Sequence, residues 1–261
     1  MEMKVTSMAR QTVTIKKNFF EYQAWESQHT IIGIDEVGRG CFAGPVVAAA
    51  VILPINKLNK MLKDSKIMTP EERIHAFAWI QKHCIYGVGI AHHRLIDEHN
   101  IVQATRIAMI KATLNTLYQI STHPSAIVID AMSIDLSQTA FQGIPIYHFV
   151  RGESKSSSIA AASIVAKVTR DYMMNILEKS IPGYGWSANK GYGTIAHRTA
   201  LQSYQHSILH RMRFLKNLQQ QENNLDEQLT LPFDMFQTQF DQIDHLEGDT
   251  YESGEILCRS D

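Results

Sequence analysis

The sequence has only three cysteines, Cys41, Cys84 and Cys258, far apart and odd in number. That count excludes a disulfide scaffold and a cysteine-rich zinc site, and it sets the expectation of a reducing compartment, with the cytoplasm as the default. Long apolar runs are missing too: no stretch nears the ~20 residues that span a bilayer, so no membrane association is expected. The first residues, MEMKVTSMARQTVTIKK, carry charge without an apolar segment behind it, which is not the pattern of a secretory signal. No internal repeat is present. Net charge is nearly absent, at −1, but the balance conceals an asymmetry. From Asn217 to Asp261 there are eleven acidic residues and one basic residue, Arg259, which leaves 24 Lys+Arg and 15 Asp+Glu in residues 1–216. A body of about +9 suits a polyanionic partner, whereas its tail is about −10. An ordinary solvated surface would look the same by composition alone.

What is present is enough apolar material, 44% of 261 residues, for one sizeable core. Residues 18–27 (NFFEYQAWES) read as a short amphipathic helix. Residues 31–35 form an apolar run broken by Val37-Gly38-Arg39-Gly40, residues 45–53 (PVVAAAVIL) read as a buried strand and 84–91 (CIYGVGIA) as a third strand, suggesting an antiparallel meander with short connections. Residues 96–118 have helical spacing, 127–129 and 144–150 read as strands, and 158–177 (with IAAASIVAKV) as a long small-residue helix packed on a sheet. Residues 201–218 read as a further helix rich in His and Arg. The order predicts a mixed α/β sandwich. Three segments follow: an N-terminal extension at 1–29, a catalytic domain at 30–218, and an acidic, Gln-rich, disordered tail at 219–261.

Asp35-Glu36 closes the first strand and Asp130 ends the central one. If those strands are neighbours, three carboxylates meet, and they raise one another's pKa unless a cation neutralises them. Oxygen-only ligands favour Mg²⁺ or Mn²⁺ over zinc, and such a site suits an in-line phosphoryl displacement. Taken singly, each acid has an alternative role as a solvated or capping group. The glycine turn 38–44 loosely resembles a dinucleotide loop, but Pro45-Val46-Val47 opens a strand where that fingerprint needs a helix, and two acids precede it. His206 and His210, four apart on the expected helix, read as a solvated face, since no third ligand accompanies them. His92-His93 reads as surface.

The segment IGIDEVGRGCFAGP (residues 32–45) resembles the signature of the ribonuclease HII family. The resemblance continues through Lys63-Asp64-Ser65-Lys66, residues 127–130, IAAASIVAKVTRD (159–171) and KGYGTIAH (190–197), in the family's order and spacing. It implies an RNase H-like fold with a mixed five-stranded sheet flanked by helices. It also implies an endonuclease using Mn²⁺ or Mg²⁺, with RNA–DNA hybrids and ribonucleotide-containing duplex DNA as substrates; a monomer is the default expectation. Asp35, Glu36 and Asp130 match the family's metal-binding carboxylates. Where the family has Lys-Gly-Asp, this sequence has Arg151-Gly152-Glu153, which makes Glu153 the candidate fourth acid; Asp171 lies deep in a helix and reads as structural. Gly38-Arg39-Gly40 matches the motif that contacts 2′-hydroxyls, and Tyr192 the tyrosine that packs on the sugar. Lys66, Ser163, Lys167 and Lys190 are candidate phosphate contacts. The His210-Arg211-Met212-Arg213-Phe214 run departs from the family's His-Arg-Arg-Ser-Phe by its missing serine. In the tail, Gln228-Leu229-Thr230-Leu231-Pro232-Phe233 resembles a sliding-clamp docking peptide. A non-catalytic hybrid-binding module and a DNA resolvase or transposase are the alternatives. The three intact acids count against the first, and Gly38-Arg39-Gly40 with Tyr192 against the second.

Overall fold

The computed structural model describes residues 16–218, and the acidic tail and clamp-like hexapeptide lie outside these. A first structural unit ends at Arg213. Within it the elements run α1 (Phe19–Glu26), β1 (Ile31–Val37), β2 (Val46–Ile52), α2 (Pro70–His83), β3 (Ile85–Ala91), α3 (His93–Leu117), β4 (Ala126–Asp130), β5 (Ile146–Phe149), α4 (Ser157–Ser180), α5 (Trp186–Asn189) and α6 (Ile195–Tyr204). The strands form one mixed sheet in the order β3-β2-β1-β4-β5. β1 pairs antiparallel with β2, and β2 with β3, while β1–β4 and β4–β5 are parallel. The mixed five-stranded sheet flanked by helices is therefore present. No helix among the described residues is long and apolar enough to cross a membrane.

Small residues set the layer spacing. β2, VVAAAVI, is buried along its whole length, as a strand covered on both faces must be. The register places Gly33, Val51 and Tyr86 on one face and Ile34, Ala50 and Gly87 on the other. α4 lies on the first face, so close that a Cβ on Gly33 would come 2.1 Å from the Ser158 carbonyl carbon. α3 lies on the second, where a Cβ on Gly89 would meet Ala108 O at 1.9 Å. Trp25, Ala49, Val51, Ile80 and the alanines of α4 share one core cluster.

α1 is joined to α4 by polar contacts. The buried Glu21 carboxylate accepts from Ser156 Oγ (2.6 Å) and Ser158 N (3.0 Å), and Asn18 Oδ1 accepts from Ser157 N (2.9 Å). These side chains satisfy amides at the start of α4 that have no partner within the helix. Ser156 Oγ caps the same turn through Ile159 N.

Three expectations need correction. β2 and β3 are antiparallel neighbours, but α2 lies between them in the chain, so their connection is not short. α2 went unread although its start carries a full capping box, with Thr69 Oγ1 accepting from Glu72 N and Glu72 Oε2 from Thr69 N, and Pro70 in the first turn. The expected helix over 201–218 is broken: α6 stops at Tyr204, Gln205 has φ 61°, and helix resumes only at residue 212.

Candidate active site

β1 runs one residue past the two acids, to Val37, so alternation along the strand separates the side chains of Asp35 and Glu36. Asp35 is buried on the α4 side, and its Oδ1 accepts from Glu36 N at 2.7 Å. Burial, then the charges of Glu36 and Asp130, push its pKa well above the usual carboxylate range. Glu36 turns to Arg39, 3.1 Å away; burial raises its pKa against that pairing, and Asp130 adds to the rise. The parallel pairing of Ile34 with Ile129 sets Asp130 beside Asp35. Asp130 Oδ1 accepts from Gly152 N (2.7 Å), which brings the short 3₁₀ turn Gly152–Ser154, and with it Glu153, to the end of β4. A Cβ on Gly152 would lie 2.7 Å from Ile159 Cδ1 and 3.3 Å from Asp130 Cα, so this tight junction requires glycine.

Lys66 faces the acids from the β2–α2 loop. Partial burial pulls its pKa down, but Asp35, Asp64, Glu153 and Asp130 together outweigh burial, and the net shift is upward. Among the described residues, no group of three or more His, Cys, Asp or Glu side chains is arranged to hold a metal ion. Glu36 is held by Arg39 and Asp130 by Gly152. The chemistry of the set nevertheless fits a hard cation. All the donors are carboxylate oxygens, and Glu36 Oε2 and Glu153 Oε2 are buried without a hydrogen-bond partner. A cation would relieve both the repulsion and the orphaned acceptors.

Beside the acids, the loop from Gly38 to Pro45 meets the segment carrying Tyr192. Cys41 forms an isolated antiparallel bridge with Tyr192, and Phe42 N donates to Gly191 O at 2.8 Å. Tyr192 is 38% exposed, with the Arg170 guanidinium 5.9 Å from its ring centre. The two glycines of Gly38-Arg39-Gly40 differ. Gly38 has φ +92°, and a Cβ there would strike Arg170 Nε at 2.1 Å; a Cβ on Gly40 would meet nothing within 4 Å. Gly40 is thus not required by packing among the described residues, and its bare backbone is open to close approach.

Of the candidate phosphate contacts, Lys167 is paired with Asp171 at 2.8 Å, and Lys190 Nζ donates to Asn175 Oδ1 and Ser187 O. Both lysines line a groove of about 650 Å³ with Arg73, Tyr172 and Asn175. Ser163 is almost fully buried and bonded to Ser65 Oγ at 2.7 Å, so it supports Asp35 from below instead of presenting its hydroxyl to solvent. Asp171 serves Lys167, which accords with its structural reading.

The histidines also need correction. His210 is on no helix with His206 and is buried against His197, with Nε2 atoms 3.1 Å apart. His197 Nδ1 lies 2.9 Å from Tyr192 O and must donate to it, while its Nε2 accepts from Trp186 Nε1. His210 Nδ1 accepts from Ser207 N, so its Nε2 carries the proton shared with His197. This neutral pair holds the Tyr192 backbone from beneath. His92 caps α3. Sequence reasoning also missed Arg170 and Arg211, two fully buried guanidiniums that bond main-chain carbonyls distant in sequence; no local signal marks them.

The profile of the family described as Ribonuclease HII matches residues 32–217. A ribonuclease HII from Chlamydia caviae is 40% identical over 215 residues, covering 81% of this chain and 97% of the relative. One from Alkaliphilus metalliredigens is 45% identical over 202 residues, covering 76% of this chain and 96% of the relative. The structure of the PCNA:RNase HII complex from Archaeoglobus fulgidus matches with a TM-score of 0.58 at 24% identity, over 70% of this chain and 94% of that one, which shows the same fold. With the profile matching well over half its length and relatives matched almost end to end, the chain belongs to the ribonuclease HII family.

Proposed function

We propose that this endonuclease cuts the RNA strand of RNA–DNA hybrids, and cuts duplex DNA on the 5′ side of an embedded ribonucleotide, leaving 3′-hydroxyl and 5′-phosphate ends. Removal of misincorporated ribonucleotides and of primers would be its role. The observation that carries the reading is the adjacency of Asp35, Glu36, Asp130 and Glu153 to the Gly38–Gly40 loop and Tyr192. One cluster suits phosphodiester hydrolysis and the other suits recognition of a ribose.

Asp35, Glu36, Asp130 and Glu153 are the residues that would hold Mn²⁺ or Mg²⁺. Two such ions would supply charge neutralisation, an activated water and stabilisation of the departing 3′ oxygen. Glu36, paired with Arg39 here, would hold the cation in place of that pairing, and the Arg39 guanidinium would then be available to a phosphate. Lys66 partly neutralises the acids and would serve the scissile strand, while Lys167 and Lys190 border the groove for the neighbouring backbone. The Gly38–Gly40 main chain and the Tyr192 ring read the sugar, since only the 2′-hydroxyl separates RNA from DNA locally.

The test is incubation with Mn²⁺ and a DNA duplex carrying a single ribonucleotide. A nick 5′ to that ribonucleotide is the expected result, with Asp35→Asn and Asp130→Asn abolishing cleavage while largely sparing duplex binding. A hybrid-binding module would not cut, and a DNA nuclease would ignore the ribose. Retained cleavage in either variant overturns the assignment of the acids.

The tail hexapeptide Gln228-Leu229-Thr230-Leu231-Pro232-Phe233 supports a second tether, to a sliding clamp, which would raise the local concentration of enzyme at DNA. Its deletion should abolish clamp binding; undiminished binding refutes this tether.

A further inference from the structure

Arg170 and Arg211 are fully buried, and their side chains make six hydrogen bonds to backbone carbonyls. Arg170 donates through Nε to Pro45 O (2.8 Å), through Nη2 to Ala43 O (3.2 Å) and through Nη1 to Lys190 O (2.7 Å). Arg211 donates through Nε to Gly44 O (3.0 Å), through Nη1 to Arg39 O (2.8 Å) and through Nη2 to Gly38 O (2.7 Å), and its amide bonds Phe42 O. Five of the six acceptors lie in the loop from Gly38 to Pro45, and the sixth is two residues before Tyr192.

The direction of these bonds matters. In a trans peptide the C=O of one residue and the N–H of the next point in opposite directions. Because the Gly38 and Arg39 carbonyls are turned inward to Arg211, the N–H groups of Arg39 and Gly40 are turned outward. A carbonyl that accepts from a charged donor also polarises its peptide, which strengthens the N–H at the other end. At Gly40 a Cβ would meet no atom within 4 Å, so the backbone here is not crowded on that side. A lysine cannot replace either arginine, because one ammonium nitrogen cannot span carbonyls separated along the loop as the planar fork does.

We infer that Arg211, with Arg170 beside it, is a positioning residue for ribose selectivity: the two buried guanidiniums aim and polarise the Arg39 and Gly40 amides toward the 2′-hydroxyl of the substrate. This rests on the proposed function above and adds to it the residues that set the reading geometry. It also assigns distinct duties to the two glycines: Gly38 makes room for Arg170, and Gly40 leaves room for the sugar.

The test uses the full chain in EDTA. Residue-level amide exchange of the wild type is followed with a duplex carrying one ribonucleotide and with the same duplex in all-deoxy form. Arg39 and Gly40 amides should slow at least fivefold more with the ribonucleotide duplex. In Arg211→Lys this extra protection should vanish, with affinity for the all-deoxy duplex within twofold of wild type and kcat/KM on the ribonucleotide duplex at least 100-fold lower. Equal protection of the wild-type amides by both duplexes overturns the inference, as does an Arg211→Lys variant that keeps the discrimination. If Arg211→Lys does not fold, Gly40→Ala decides. It should melt like the wild type yet cleave at least tenfold more slowly, and wild-type cleavage by it overturns the inference. Failure of the wild type to nick the ribonucleotide duplex with Mn²⁺ would sink the functional reading instead, and the exchange comparison would register that case separately.

Discussion

Replacing Asp35 with asparagine should make the cation-free protein more stable while destroying its activity. Asp35 is buried, and its pKa is raised by that burial and by the charges of Glu36 and Asp130. A carboxyl whose folded pKa lies above its unfolded value binds its proton more tightly when folded, so above that window its ionisation works against folding. Adjacent strands are ~4.8 Å apart, and two unit charges ~5 Å apart at an effective dielectric of ~20 repel by about 3 kcal/mol. Lys66 offsets part of this, so relief of ~1–3 kcal/mol is the scale expected. Asparagine keeps the acceptor for Glu36 N, so little geometry is lost. For a domain of this size each kcal/mol moves Tm by roughly 2–4 °C, giving a rise of about 2–12 °C in EDTA. Wild type should instead gain from the cation, by ~2.7 kcal/mol at one hundred times Kd, and Asp35→Asn should lose most of that gain. Thermal scans by circular dichroism, with and without Mn²⁺, read both effects. A variant that melts below wild type in EDTA, or that keeps the full Mn²⁺-dependent rise, refutes the reasoning.

Gly33→Ala forces a Cβ to within 2.1 Å of the α4 backbone, and an overpacked contact of this kind should cost about 3 kcal/mol; a loss under ~1 kcal/mol in urea titration would show that α4 can shift. His210 is held neutral by burial and by His197, with its pKa pulled down to about 4. A depressed histidine gives stability that is present above its unfolded pKa and lost as pH falls, so the advantage of wild type over His210→Asn should shrink by ~2 kcal/mol between pH 6.5 and pH 4, after allowance for solvent screening. An advantage that does not change with pH contradicts the neutral pair. Glu153→Gln should leave the fold intact and lower cleavage about tenfold at low Mn²⁺, with partial rescue at high Mn²⁺; unchanged cation dependence removes Glu153 from the site.

The acids were legible because their signal is local: two carboxylates before a glycine turn, and a third ending an apolar strand. Their disposition was not. The strand continues to Val37, which leaves Glu36 with Arg39, and only the β1–β4 register shows how near Asp130 comes. The helix expected at 201–218 followed a basic, amphipathic spacing that runs on through the break at Gln205, and the same misreading put His210 on a solvated face. α2 buries only Ala76 and Ile80, too thin an apolar stripe to register, although its cap is written plainly in Thr69, Pro70 and Glu72. Arg170 and Arg211 looked like ordinary basic residues because their acceptors lie more than 120 positions away for all but Lys190.

The clasp between α1 and α4 has a consequence for biosynthesis. Glu21 is separated from its donor amide at Ser158 by 137 positions. At ~5–20 residues per second, translation of that interval takes roughly 7–27 s. Throughout it α1 exists without the helix start it caps, and until residues 126–130 are made β1 lacks its parallel partner β4. α1 is therefore made well before the helix start that it caps. A nascent chain stalled before residue 126 would carry an open edge on the strand that bears Asp35, a segment in need of shielding by a chaperone.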